Sequence, residues 1–121
     1  MTNKCVLIVE DEADFVVLVR AALRKDHYET VHVRDGQEAL SFLKSADIPA
    51  AIVLDLCMPD MGGKEFCREL AGDERLGRIP VVLYSCESNL RTMAKELGAA
   101  GFVSKFDHPS RVLDEVRRCC S

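Results

Sequence analysis

The sequence predicts a single α/β domain of five alternating strand-helix pairs, a doubly wound sandwich around a parallel five-stranded sheet of order 2-1-3-4-5. Three observations carry that expectation. Short apolar runs such as Cys5–Val9 and Ala50–Leu54 alternate with segments whose apolar residues recur at helical spacing. The connections between them are short, which calls for right-handed crossovers and helices on both faces. The 121 residues show no repeat, linker or low-complexity stretch, so residues 1–121 are read as one domain. The strand order follows from short outer strands and the most apolar central ones.

The elements follow in order. Cys5–Val9 is a buried first strand, followed by Glu10, Asp11 and Glu12. From Ala13 to Lys25, Val16, Val19 and Leu23 recur at helical spacing with Phe15 and Ala22. Thr30–Val33 is a second strand, Asp35-Gly36 a turn, and Gln37–Lys44 a second helix. Ala50–Leu54, apolar and partly β-branched, is a central buried strand ending at Asp55 and a turn with Pro59, Gly62 and Gly63. A third helix runs from Gly63 to Ala71, and a fourth strand from Ile79 to Tyr84. Leu90, Met93, Ala94 and Leu97 mark the core face of a fourth helix. Phe102–Ser104 is the fifth strand and Ser110–Cys119 the last helix, with Ser110 either its N-cap or an ordinary loop serine.

Composition narrows the function classes. Hydrophobic residues make up 48% and charged residues 30%, ordinary for a globular protein. Sixteen basic and twenty acidic residues are well mixed, with a net charge of −4 and no basic stripe, which disfavours direct nucleic-acid binding. No apolar run approaches the roughly 18 residues of a membrane span, and Met1–Lys4 is too short for a signal peptide. A cytoplasmic protein with no membrane partner is expected. Cysteines stand at positions 5, 57, 67, 86, 119 and 120 without a C-x-x-C pair, so they are read as reduced thiols acting as small hydrophobes. His27, His32 and His108 show no ligand or nucleophile spacing and are read as surface or loop residues.

In such a sheet, ligands bind outside the carboxyl ends of the strands. There the loops after strands 1, 3, 4 and 5 bring together Glu10 and Asp11, Asp55, Ser85 and Lys105. Each residue taken singly has a plainer role: helix-dipole complement for Glu10 and Asp11, turn former for Asp55, helix cap for Ser85, solvated charge for Lys105. Their convergence on one edge favours chemistry. Three close carboxylates repel one another, which raises their pKa values or requires a cation. Hard oxygen ligands suit Mg²⁺, with Mn²⁺ as an alternative, and Mg²⁺ favours a site shared with phosphate. A metal, an ammonium and a hydroxyl around one carboxylate are what phosphoryl transfer onto that carboxylate requires.

Over nearly its whole length the chain resembles the receiver (REC) domains of two-component response regulators, most of all the single-domain chemotaxis type. The matching features are Val9-Glu10-Asp11, Asp55-x-x-Met58-Pro59 with Gly63, Ile79-Pro80 through Ser85, and Phe102-Val-Ser-Lys105. The resemblance implies a flavodoxin-like (βα)5 fold in which Asp55 takes a phosphoryl group from the phosphohistidine of a sensor histidine kinase or phosphotransfer protein. It implies that Asp11, Asp55 and the backbone carbonyl of Cys57 bind Mg²⁺, with Glu10 acting through water, and that Lys105 contacts a phosphoryl oxygen. Ser85 and Phe102 would be the switch residues. A downstream protein target would be engaged through the face of helix 4, strand 5 and helix 5.

The pattern departs from the family at three places. Phe106 follows Lys105 where the family usually has proline in a cis peptide, and a cis bond before a non-proline residue costs about 2.5–4 kcal/mol. Either the surrounding packing holds that strain, or the loop is trans and Lys105 approaches differently. Ser85 replaces the commoner threonine, and Cys86 a frequent alanine. Cys57 and Glu87, each two residues past a site residue, flank the path of an attacking water and are expected to tune dephosphorylation. The alternative function is a pseudo-receiver, an interaction module whose output needs no phosphate. A flavin module is disfavoured because Glu10-Asp11-Glu12 would repel a phosphate.

Overall fold

The computed structural model describes residues 4–45, 47–56 and 61–120. Five strands alternate with five helices: β1 (Cys5–Val9), α1 (Ala13–Arg24), β2 (Glu29–Val33), α2 (Gly36–Ser45), β3 (Ala51–Leu54), α3 (Gly63–Ala71), β4 (Val81–Ser85), α4 (Leu90–Leu97), β5 (Gly101–Ser104) and α5 (Ser110–Cys120). The strands form one parallel sheet in the order β2-β1-β3-β4-β5, as the alternation predicts.

Side chains alternate across a strand, and the core is accordingly split in two. Leu7, Val9, Ile52, Leu54 and Leu83 pack with α2, α3 and α4 on one face. Val6, Ile8, Val53, Tyr84 and Val103 pack with α1 and α5 on the other. The three inner strands are buried on both faces and read as unbroken apolar runs. The edge strand β2 buries only Val33.

Boundaries shift where backbone chemistry overrides hydrophobicity. The fourth strand is expected at Ile79 but begins at Val81, because Pro80 has no N–H to give the ladder. Ile79 instead donates to Leu76 O (3.2 Å), closing a 3-10 turn at Leu76–Arg78, while Pro80 O still accepts from Ile52 N (2.9 Å). Ser110 lies inside α5 rather than capping it. Its N–H donates to His108 Nδ1 (3.1 Å), and His108 is exposed in the loop before α5, as expected. Gly98 ends α4 at φ +70°, a left-handed conformation that suits glycine. The described cysteines are free thiols; Cys67 is buried, and burial pushes its thiol up to about 11, whereas Cys86 is exposed and departs from the small-hydrophobe expectation.

Candidate functional site

Backbone bonds carry the sheet one residue past the ends of its inner strands and fix two carboxylates there. Glu10 N donates to Val33 O (3.1 Å) and Asp55 N to Val9 O (3.0 Å). His32, expected at the surface, is half-buried on β2, and its Nε2 lies 2.7 Å from the carbonyl oxygen of Glu10. One oxygen from each of Glu10, Asp11 and Asp55 lies within 4.8 Å of the other two. Glu10 and Asp55 are buried, and Asp11 faces solvent.

Lys105 enters this acidic group from the end of β5. Its N–H donates to Ser85 O (3.0 Å), extending the pairing of β4 and β5. Its Nζ lies 2.9 Å from Glu10 Oε2, 3.4 Å from Asp55 Oδ2 and 4.0 Å from Glu12 Oε1. Glu10 Oε2 has no hydrogen-bond partner among the described residues, and its contact with Lys105 is an ion pair. The Lys105 side chain is only 4% exposed. No peptide bond among the described residues is cis, so the Lys105–Phe106 bond is trans and the lysine still reaches the carboxylates.

One ammonium does not balance three carboxylates. Burial pushes the Glu10 carboxyl up; Lys105 pulls it back and the Asp55 charge pushes it further, leaving it at about 7 against an ordinary 4.5. Burial pulls the Lys105 ammonium down, but Glu10 and Asp55 outweigh it, so the net shift is upward. The surplus negative charge and the hard oxygen donors fit a divalent cation held by Glu10, Asp11 and Asp55. The carbonyl of Cys57 lies outside the described residues, as do Met58 and Pro59.

Above Asp55 opens a cavity of about 460 Å³ whose lining includes Glu12, Ser85, Cys86, Glu87 and Lys105. Ser85 is 2% exposed, and its hydroxyl accepts from Glu87 N at 3.4 Å. Phe102 stands apart from this cavity. It is half-buried against the α4 side of the core, with the Arg91 guanidinium 5.6 Å from its ring centre, in an adjoining hollow of about 420 Å³ shared with Leu90 and Phe106. A larger hollow of about 650 Å³ between α2 and α3 has an acidic rim of Asp35, Glu38 and Glu65 and no lysine facing a carboxylate.

The structure brings Glu10, Asp11, Asp55, Ser85, Glu87 and Lys105 together at one edge, with Phe102 beside it. Sequence reasoning overlooks three residues. Glu12 lines the cavity mouth. The Phe15 ring lies under the Lys105 ammonium, 4.3 Å from Nζ to the ring centre, and Tyr84 lies 5.7 Å from the same atom. The available signal was strand parity, which puts Tyr84 on the α1 and α5 face together with Phe15.

Comparison with known proteins identifies the family and the fold. The family profile described as the response regulator receiver domain matches residues 6–117. The chain is 30% identical over 115 residues to the alkaline phosphatase synthesis transcriptional regulatory protein PhoP of Bacillus subtilis, covering 95% of this chain and 48% of that protein. It is 36% identical over 102 residues to the response regulator PleD of Caulobacter vibrioides, covering 83% of this chain and 22% of that one. The chain thus spans about half the length, or less, of these curated relatives. Among solved structures, the receiver domain of a signal transduction histidine kinase from Syntrophus aciditrophicus superposes with a TM-score of 0.86 at 34% identity, covering 97% of this chain and 89% of that one. The chemotaxis response regulator CheY4 of Vibrio cholerae gives 0.86 at 28% identity, covering 98% and 99%.

Proposed function

This chain belongs to the response regulator receiver domain family, whose general function is phosphorylation-based switching, and from that premise we propose that Asp55 is its phosphoacceptor. The observation that carries the assignment is the placement of the Asp55 carboxylate at the floor of the cavity, with Lys105 Nζ 3.4 Å away and Glu10 and Asp11 beside it. Asp55 attacks the phosphorus of a phosphohistidine on a sensor kinase or phosphotransfer protein. A carboxylate O–P bond forms, the N–P bond breaks, and the imidazole leaves with a proton.

Glu10, Asp11 and Asp55 would hold Mg²⁺ or Mn²⁺, with the Cys57 carbonyl as a further ligand. When bound, that ion neutralises charge on the phosphoryl oxygens. Lys105 contacts one of those oxygens, and the Ser85 hydroxyl turns from Glu87 N toward another. Phe102 then moves inward, and the face of α4, β5 and α5 exchanges protein partners, a population shift driven by contacts that exist only after phosphorylation. Glu87, which lines the cavity, and Cys57, two positions past Asp55 in the chain, would set the lifetime of the mark. A cytoplasmic setting and a protein rather than nucleic-acid target go with this reading.

The test is reaction of the wild type and Asp55→Asn with acetyl phosphate and Mg²⁺, read by intact mass. The wild type is expected to gain one phosphoryl group and the variant none. Absence of an adduct under any condition would instead favour a phosphate-independent interaction module.

A further inference from the structure

We propose that Phe15, braced by Tyr84, is a positioning residue that seats the Lys105 ammonium beside Asp55. This rests on the reading of Asp55 as phosphoacceptor and adds a part to that machinery. A lysine head is a point charge on a flexible four-carbon stem. Three carboxylates compete for this one, at 2.9, 3.4 and 4.0 Å from Glu10, Asp55 and Glu12. The next residue in the loop offers no inward anchor, because Phe106 is 81% exposed.

The anchor comes from α1, on the same side of the sheet as Tyr84. The Phe15 ring centre is 4.3 Å from Lys105 Nζ, inside the range in which an aromatic face attracts a cation. Phe15 and Tyr84 meet edge to face, with ring centres 5.8 Å apart and planes at 84°, so the Tyr84 ring sets the tilt of Phe15. Tyr84 itself is 5.7 Å from the ammonium, and its buried hydroxyl finds no partner among the described residues. The ring of Tyr84, not its oxygen, is therefore what the site uses. An aromatic face suits this position because it holds a cation without adding charge to an already crowded acidic group. It also leaves the ammonium's donors for carboxylate and phosphoryl oxygens.

A ring that merely fills space predicts otherwise than a ring that holds a cation, and the two are separable. Pentafluorophenylalanine at position 15 keeps the shape of the ring and reverses the charge of its face; Phe15→Leu removes the face; Phe15→Tyr retains it. In the metal-free protein, the ε-methylene protons of Lys105 are expected upfield of those of exposed lysines in the wild type and in Phe15→Tyr, and at ordinary positions in Phe15→Leu. With acetyl phosphate and Mg²⁺, Phe15→Leu and the fluorinated protein are expected to lose about 2- to 30-fold in maximal rate, the range of a cation–π contact. The Mg²⁺ concentration at half-maximal rate should stay put, and Phe15→Tyr should recover the rate. A fluorinated protein as fast as wild type, or unshifted Lys105 protons in the wild type, would overturn the proposal. Should the wild type take no phosphoryl group at all, the assignment of Asp55 fails, while the proton shifts still decide whether Lys105 is seated on Phe15.

Discussion

Glu10 and Lys105 form a buried ion pair, 2.9 Å from Oε2 to Nζ, with 2% and 4% of their side chains exposed. The pair is closer than that of Lys105 with Asp55, at 3.4 Å. In the metal-free domain the lysine is thus divided between a structural partner and the proposed phosphoacceptor. Removing one member of a buried pair typically costs about 3–5 kcal/mol, because the other charge is left without compensation. Lys105→Met is therefore expected to lower the urea midpoint strongly at pH 8 and much less at pH 5, where Glu10 takes up a proton. Equal losses at the two pH values would show that the lysine's packing, not its charge, is what matters.

The pH dependence of the parent protein has a definite sign. The Glu10 carboxyl sits at about 7 in the folded chain against an ordinary 4.5, so between those values the folded state binds more protons than the unfolded one. Its contribution favours folding below pH 4.5 and is lost as pH rises to about 7, with a ceiling on the order of 3 kcal/mol. Lys105, shifted upward, contributes stability that is complete below pH 10.5 and lost only above it. Urea unfolding of the metal-free domain should show the Glu10 slope between about pH 5 and 7, and Glu10→Gln should flatten it.

Divalent ions should act in the same window. An ion held by Glu10, Asp11 and Asp55 competes with the Glu10 proton, so Mg²⁺ is expected to raise the melting temperature more at pH 8 than at pH 5. Asp11→Asn should abolish most of that gain. A Mg²⁺ effect independent of both pH and Asp11 would place the ion elsewhere.

Gly63 ties the turn after β3 to the site. A Cβ there would lie 2.8 Å from Leu56 Cα and 3.0 Å from Asp55 O, and backbone cannot give way as a flexible side chain would. Gly63→Ala is expected to cost about 1–3 kcal/mol and to slow phosphoryl uptake by displacing Asp55. Gly98→Ala provides the contrast. Its Cβ meets nothing within 4 Å and its cost comes from φ +70° alone. It should lose about 1 kcal/mol and leave uptake unchanged.

The lifetime of the mark is separately testable. Cys57→Ala and Glu87→Ala are each expected to change the rate of dephosphorylation by more than about twofold, each standing two positions along the chain past a proposed site residue. Loss of phosphoryl signal by intact mass over time measures it. Rates within twofold of the parent would remove both residues from that role.

Much of this was legible in the residues. Alternation of apolar runs with helical spacing is a local property, so the five strand-helix pairs and the sheet order could be read directly. Glu10, Asp55, Ser85 and Lys105 were found because each follows or ends a strand, and strand ends converge by topology alone. Less visible was anything decided by side chains from distant elements. Phe15 has the spacing of an ordinary α1 core residue, and Tyr84 that of an ordinary β4 one. Only the tertiary fold, in which Phe15 of α1 meets Tyr84 of β4 edge to face, brings both rings to the lysine. His32 was passed over for the same reason, since its partner is a main-chain oxygen on a neighbouring strand. The misplaced start of β4 has another cause: hydrophobicity does not register that Pro80 lacks a donor.

The alternation of β4 and β5 has one more effect. Tyr84 and, one residue past β5, Lys105 lie on the side of α1 and α5, whereas Leu83 and Phe102, from the same two neighbouring strands, lie on the side of α4. The sheet here is a wall one residue thick, and Asp55 stands at its rim. A carboxylate at that rim borders two separately packed cores at once, one holding Tyr84 and the other Leu83 and Phe102.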